Sequence, residues 1–96
     1  MIKDNERYIE KEFLSSDKIV DKTYKNKMLN LIDSKITEAM ESTTEISILD
    51  ALESLRLIVK DAYIITMYDF QFKILLLSLQ KEIANIRDTI IYAANS

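Results

Sequence analysis

The sequence predicts an all-α protein, folded as an antiparallel up-down four-helix bundle. Three observations predict it. The 96 residues contain no glycine and no proline, where average usage would give about 7 and about 5. Apolar residues recur at spacings of three and four, the period of one helix face. The periodic stretches are separated by short runs of Ser, Thr and Asp, whose side-chain oxygens cap helix ends. A sandwich or barrel leans on glycine and proline at its turns and is excluded.

The first segment spans about residues 3–14. Ile2, Ile9 and Phe13 share a face, charged residues cover the rest, and Ser15-Ser16-Asp17 ends it. It is the shortest and most polar segment, so it is expected to be the most loosely held. The second spans about 22–41. Leu29, Ile32, Ile36 and Ala39 or Met40 form its seam, and Met28 and Leu31 widen it. Asp21 or Thr23 is its expected N-cap. Ser42 and Glu45 have the spacing of a capping box, which starts a third segment over about 45–61. Its seam is Ile48, Leu52, Leu55, Val59 and Ala62, flanked by Ile46, Leu49 and Ile58.

A break at Tyr63-Ile64-Ile65-Thr66 follows. Thr66 with Asp69 reads as an N-cap, and Ile65 with Phe70 as a hydrophobic staple across it. The fourth segment spans about 67–92, with Phe72, Leu76, Leu79, Ile83, Ile86 and Ile90 stepping by four and three. That average of 3.5 residues marks near-parallel helix packing. Short connections make successive helices antiparallel neighbours. The whole chain, 1–96, reads as a single domain, and a three-helix bundle without the first segment is the fallback.

Composition removes whole classes of chemistry. Without histidine and cysteine there is no zinc site of the usual ligands and no Ser-His or Cys-His nucleophile. Without glycine there is no phosphate-cradling loop and no EF-hand. The chain is therefore expected to be non-enzymatic, with no cofactor and no metal. The net charge is −3, from 13 basic and 16 acidic side chains. Both sequence halves are mildly acidic, so no nucleic-acid partner is expected. The charged start Met1-Ile2-Lys3-Asp4-Asn5-Glu6 lacks an apolar signal core. The most apolar stretch, 62–79, is interrupted by Asp69 and Lys73, so no transmembrane segment is expected. The reading is cytoplasmic, with peripheral attachment at the inner membrane face as a variant.

Four features are candidates for function. Residues 74–77 are apolar all round. That predicts a central helix buried on several sides, with an exposed docking or self-association face as the alternative. Tyr63, Tyr68, Phe70 and Phe72 cluster before the fourth helix and are expected to plug one bundle end, with Tyr63 and Tyr68 the exceptions. Lys18, Lys22, Lys25 and Lys27 read as a solvated helix face more readily than as a phosphate or headgroup contact. Glu38, Glu41, Glu45, Asp50 and Glu53 read as polar helix faces, and Ser42 and Thr66 as caps.

The second half of the chain carries a family likeness. Leu52-Glu53-Ser54-Leu55-Arg56-Leu57-Ile58-Val59-Lys60-Asp61 precedes a turn with a Thr cap. A long helix follows, with Gln71 near its start and Leu79-Gln80-Lys81-Glu82-Ile83-Ala84-Asn85-Ile86-Arg87 towards its end. Over roughly residues 24–92 this resembles the immunity proteins of pediocin-like class II bacteriocins. The resemblance implies a four-helix, cytosolic, non-enzymatic protector of the toxin producer. It implies action at the toxin-bound membrane receptor, the mannose phosphotransferase permease. It also implies that the C-terminal half carries toxin specificity, which points to Tyr63, Tyr68, Lys73, Lys81, Arg87 and Tyr92 as partner-binding residues. The competing expectation is a small phage- or plasmid-encoded helical inhibitor or sponge protein. It would act by protein–protein binding as a homo-oligomer built on helix 67–92. A structural component of a larger assembly is a third.

Overall fold

The computed structural model describes residues 18–95. Within them lie three helices: α1, Lys22–Glu41; α2, Ile46–Ile64; and α3, Asp69–Asn95. The described chain is all-α. The expected first helix, about 3–14, and the breaks at Ser15 and Ser16 lie outside the described residues.

The three helices run up, down and up. Lys25 and Asn30 of α1 bond to the end of α2, whereas Asp33 and Thr37 of α1 meet Arg56, nearer the middle of α2. That order makes α1 and α2 antiparallel. Tyr24 meets Phe72 near the starts of α1 and α3, and Glu38 and Ser42 share a cleft with Arg87 and Ile90 near their ends. Hence α1 and α3 are parallel.

The seams set the core. Leu29, Ile32, Ile36 and Ala39 of α1 meet Leu52, Leu55, Val59 and Ala62 of α2 and Phe72, Leu76, Leu79 and Ile83 of α3, all buried. Ile48, Ile86 and Ile90 are half-buried at the margins. Leu31 is a correction: it is 51% exposed and does not widen the seam. Ile46 and Ile58 are also exposed. Residues 74–77 differ from expectation too. Leu76 is buried and Leu75 half-buried, but Ile74 and Leu77 face water at 48% and 61%. All three helices pack on one another, and Ile74 and Leu77 leave α3 an open side.

The helix ends correct two of the expected caps. Asp21 does cap α1, its Oδ2 accepting from the Tyr24 N–H at 2.9 Å. Ser42 does not start α2. It ends α1, donating its hydroxyl to the Glu38 carbonyl and its N–H to the Ala39 carbonyl. Glu45 occupies the N-cap of α2 without a side-chain cap bond. α2 also runs on through Tyr63 and Ile64, which the sequence places in a break. Thr66 does not cap α3. The start of α3 moves to Asp69 because Met67 and Tyr68, ahead of it, are paired with residues 18–20. The Val20 N–H donates to Met67 O at 2.9 Å and the Asp69 N–H to Lys18 O at 2.7 Å, making an isolated antiparallel bridge between Ile19 and Tyr68. Tyr68 then stands before α3, and Gln71 Oε1 accepts from its N–H at 3.0 Å. That is the reach-back half of a capping box.

Lys25 departs furthest from its expected place. It is only 5% exposed, not on a solvated face. Its Nζ donates to Ile65 O at 2.6 Å and, more loosely, to Tyr63 O at 3.5 Å. These carbonyls belong to the C-terminal end of α2, the negative end of its dipole, which favours a cation. One lysine thus ties α1 to the turn that precedes α3.

Candidate groove between α1 and α3

Two stripes flank the α1–α3 seam. On α1, Tyr24, Met28, Leu31, Lys35, Glu38 and Ser42 step four, three, four, three, four. On α3, Lys73, Leu77, Gln80, Ala84, Arg87 and Ile91 step in the same way. Both are heptad registers one residue from the buried seam, so each lies at its edge. Because α1 and α3 are parallel, the stripes run side by side. From Lys73 to Arg87 they extend over ~21 Å of helix.

The groove opens into two hollows. The first is about 370 Å³, walled by Tyr24, Lys73, Leu77 and Gln80 and floored by Phe72 and Leu76. The Tyr24 and Phe72 rings meet there edge to face, with centroids 6.0 Å apart and planes at 78°. The second, at the other end of the seam, is about 120 Å³ and is lined by Glu38, Ser42, Arg87, Ile90 and Ile91. Tyr24, Leu31, Leu77 and Ile91 are each at least half exposed along the groove. The arrangement is a partly apolar strip with a cation and a carboxylate towards each end, Lys73 with Asp69 and Arg87 with Glu38. Such a strip on two parallel helices is shaped to take one more amphipathic helix.

The sequence-derived residues divide among several surfaces. Lys73 and Arg87 line the groove. Lys81 and Tyr92 are exposed and lie roughly a quarter turn further round α3. Tyr68 sits at the turn, paired with Ile19. Tyr63 faces α1, its hydroxyl donating to Asn30 Oδ1. Burial, and behind it the Asp33 carboxylate, hold the Tyr63 phenol above its ordinary pKa. Beside it the Arg56 Nη2 donates to Thr37 Oγ1 at 2.7 Å, and its Nε lies 3.4 Å from Asp33 Oδ1. That second approach is a charge contact, since the Nε makes no hydrogen bond. Tyr63 therefore joins α1 to α2. Sequence reasoning missed Tyr24, Leu31 and Gln80 as groove residues, whereas Leu77 lies in the 74–77 stretch read alternatively as a docking face. The signal was there as the second heptad register beside each seam.

A wider cleft of about 500 Å³ lies between the α1–α2 loop and the end of α3. Its hydroxyls are engaged locally. Ser42 donates to Glu38 O, Thr43 Oγ1 accepts from the Glu45 N–H, and Thr89 donates to Asn85 O. That cleft offers shape and little recognition chemistry. Among the described residues no group of three His, Cys, Asp or Glu is placed to hold a metal ion. No helix among them is long and apolar enough to cross a membrane.

No family model, no curated protein and no solved structure matches this chain.

Proposed function

We propose that this protein is a non-enzymatic binding module that takes an amphipathic helix of another protein into the α1–α3 groove. We propose further that the partner is a class II bacteriocin bound to its membrane receptor, the mannose phosphotransferase permease, so that the module protects the producer cell from the cytoplasmic side. The observation that carries the docking reading is the exposed Tyr24–Leu31–Leu77 strip between Lys73 and Arg87. The bacteriocin assignment is supported by the likeness of residues 24–92 to immunity proteins of that class.

The test is survival of a bacteriocin-sensitive strain that expresses this chain, challenged with the toxin encoded beside its gene. The wild-type chain is expected to protect. Leu77→Asp and Arg87→Ala are expected to lower protection about tenfold or more, because a charge in an apolar contact or a lost charged anchor costs over 1.4 kcal/mol. Both positions are exposed, so the variants keep wild-type helicity. Unchanged sensitivity with the wild-type chain sinks the bacteriocin reading. Full protection by both variants sinks the groove. A stable tetramer or hexamer in light scattering favours the oligomeric inhibitor instead, built on the open side of α3.

The four-helix arrangement belongs to the same reading. In it, about residues 3–14 are proposed as the first helix. Circular dichroism checks this. The full chain should show about twelve more helical residues than a chain starting at residue 18, and equal helical content in the two sinks the fourth helix.

A further inference from the structure

The end of the bundle formed by the α2–α3 turn gathers large apolar side chains. Ile64 is 83% exposed, Ile19 and Ile65 are each 53% exposed, and Tyr68 is 48% exposed. The bridge explains part of this. Ile19 and Tyr68 are directly opposite in an antiparallel pair, so their side chains stand together on one face. The alternation of an extended segment then turns Val20, 5% exposed, into the core. Lys25 pins the carbonyls of this turn from inside. The apolar tip is therefore held in place rather than collapsed inwards.

Charge is sorted along the same axis. The residues within two turns of the tip, 18–27 and 58–75, carry six lysines and three aspartates, net +3. The remaining described residues, 28–57 and 76–95, carry four cations and eight carboxylates, net −4. The apolar end is thus the basic end. Lys18, Lys22 and Lys60 are exposed around it. Apolar side chains that can enter an acyl boundary, a tyrosine at their margin and lysines around them are the chemistry of peripheral binding to anionic lipid.

We propose that this tip docks on an anionic lipid surface, with Ile64 and Ile65 entering the headgroup layer and Lys18, Lys22 and Lys60 meeting phosphates. The bundle then stands with its acidic end away from the lipid. This binding needs neither toxin nor receptor, so its failure and that of the groove reading are separate events.

The test is sedimentation of the full chain with vesicles of phosphatidylcholine alone and of phosphatidylcholine mixed with phosphatidylglycerol. The full chain is required because residues 1–17, joined at Lys18, add three bases and five acids. Binding is expected to the mixed vesicles and to weaken as salt is raised. The double variant Ile64→Ser, Ile65→Ser should lower partitioning by about tenfold or more, and Lys22→Gln by about fivefold. Ile46→Ser, 73% exposed at the opposite end, should leave binding unchanged. All these side chains are exposed, so circular dichroism should match the wild type. No binding, equal binding to both vesicle types, or indifference to the isoleucine pair overturns the proposal. A dimer abolished by the isoleucine pair, without vesicle binding, overturns it as well.

Discussion

Replacing Phe72 with alanine is expected to lower the melting temperature by roughly 15–30 °C, since a core Phe→Ala change costs about 3–5 kcal/mol and each kcal/mol moves a domain of this size by about 4–8 °C. Phe72 is 1% exposed and is among the largest fully buried side chains. It sits where the first turn of α3 meets the start of α1, with the Tyr24 ring edge-on at 6.0 Å. Its removal leaves a cavity under the groove floor and strands Tyr24. The surrounding backbone is bonded to residues 18–20 and cannot easily collapse into the space. Against a total stability of roughly 5–15 kcal/mol this is a large share. Thermal unfolding followed by circular dichroism measures it. A fall of less than about 5 °C would mean the site relaxes freely into the space.

The second large effect is at Lys25. Lys25→Met keeps the aliphatic stem but removes the ammonium, and is expected to cost roughly 2–3 kcal/mol. Exchanging a buried ion pair for apolar residues is often neutral. The case differs here because the acceptors are the backbone carbonyls of Tyr63 and Ile65, which remain whatever replaces the lysine. Lys25→Glu is expected to cost more, since it sets a carboxylate against carbonyl oxygens at the negative end of α2. Urea unfolding gives the stability, and amide exchange at Val20 and Asp69 reports whether the bridge opens. Wild-type stability in Lys25→Met would show that the latch contributes nothing.

Much of the fold is legible in the sequence, and the reasons are local. The seams Leu29–Ile32–Ile36, Leu52–Leu55–Val59 and Phe72–Leu76–Leu79–Ile83 are buried as their spacing requires. α1 begins and ends at the expected residues, because Asp21 satisfies its own neighbour's N–H and needs no distant partner. Ser42 and Thr66 are misread for the opposite reason. A hydroxyl can serve the helix behind it as well as the one ahead, and spacing does not choose. Thr66 lost its role to long-range bonds from Lys18 and Val20, which no local pattern announces.

Lys25 shows the limit most clearly. It lies four residues before Leu29, in step with the seam, yet a lysine among lysines reads as solvated. Its burial follows from carbonyls forty residues away in sequence. The groove has the same character. The two edge stripes can be counted on paper, but their meeting depends on α1 and α3 being parallel neighbours.

The sequence by itself determined that this chain is helical, where its three described helices bury their faces, and which chemistry its composition excludes. Those follow from propensity, periodicity and missing residue types. Only the tertiary structure decided where the surfaces lie. Both sequence halves are mildly acidic, yet folding sorts the described charges into a basic end and an acidic one. The up-down-up path sets the start of α1, the end of α2 and the start of α3 side by side. Charge and apolar surface at that end come from three separate stretches, and only their packing brings them together.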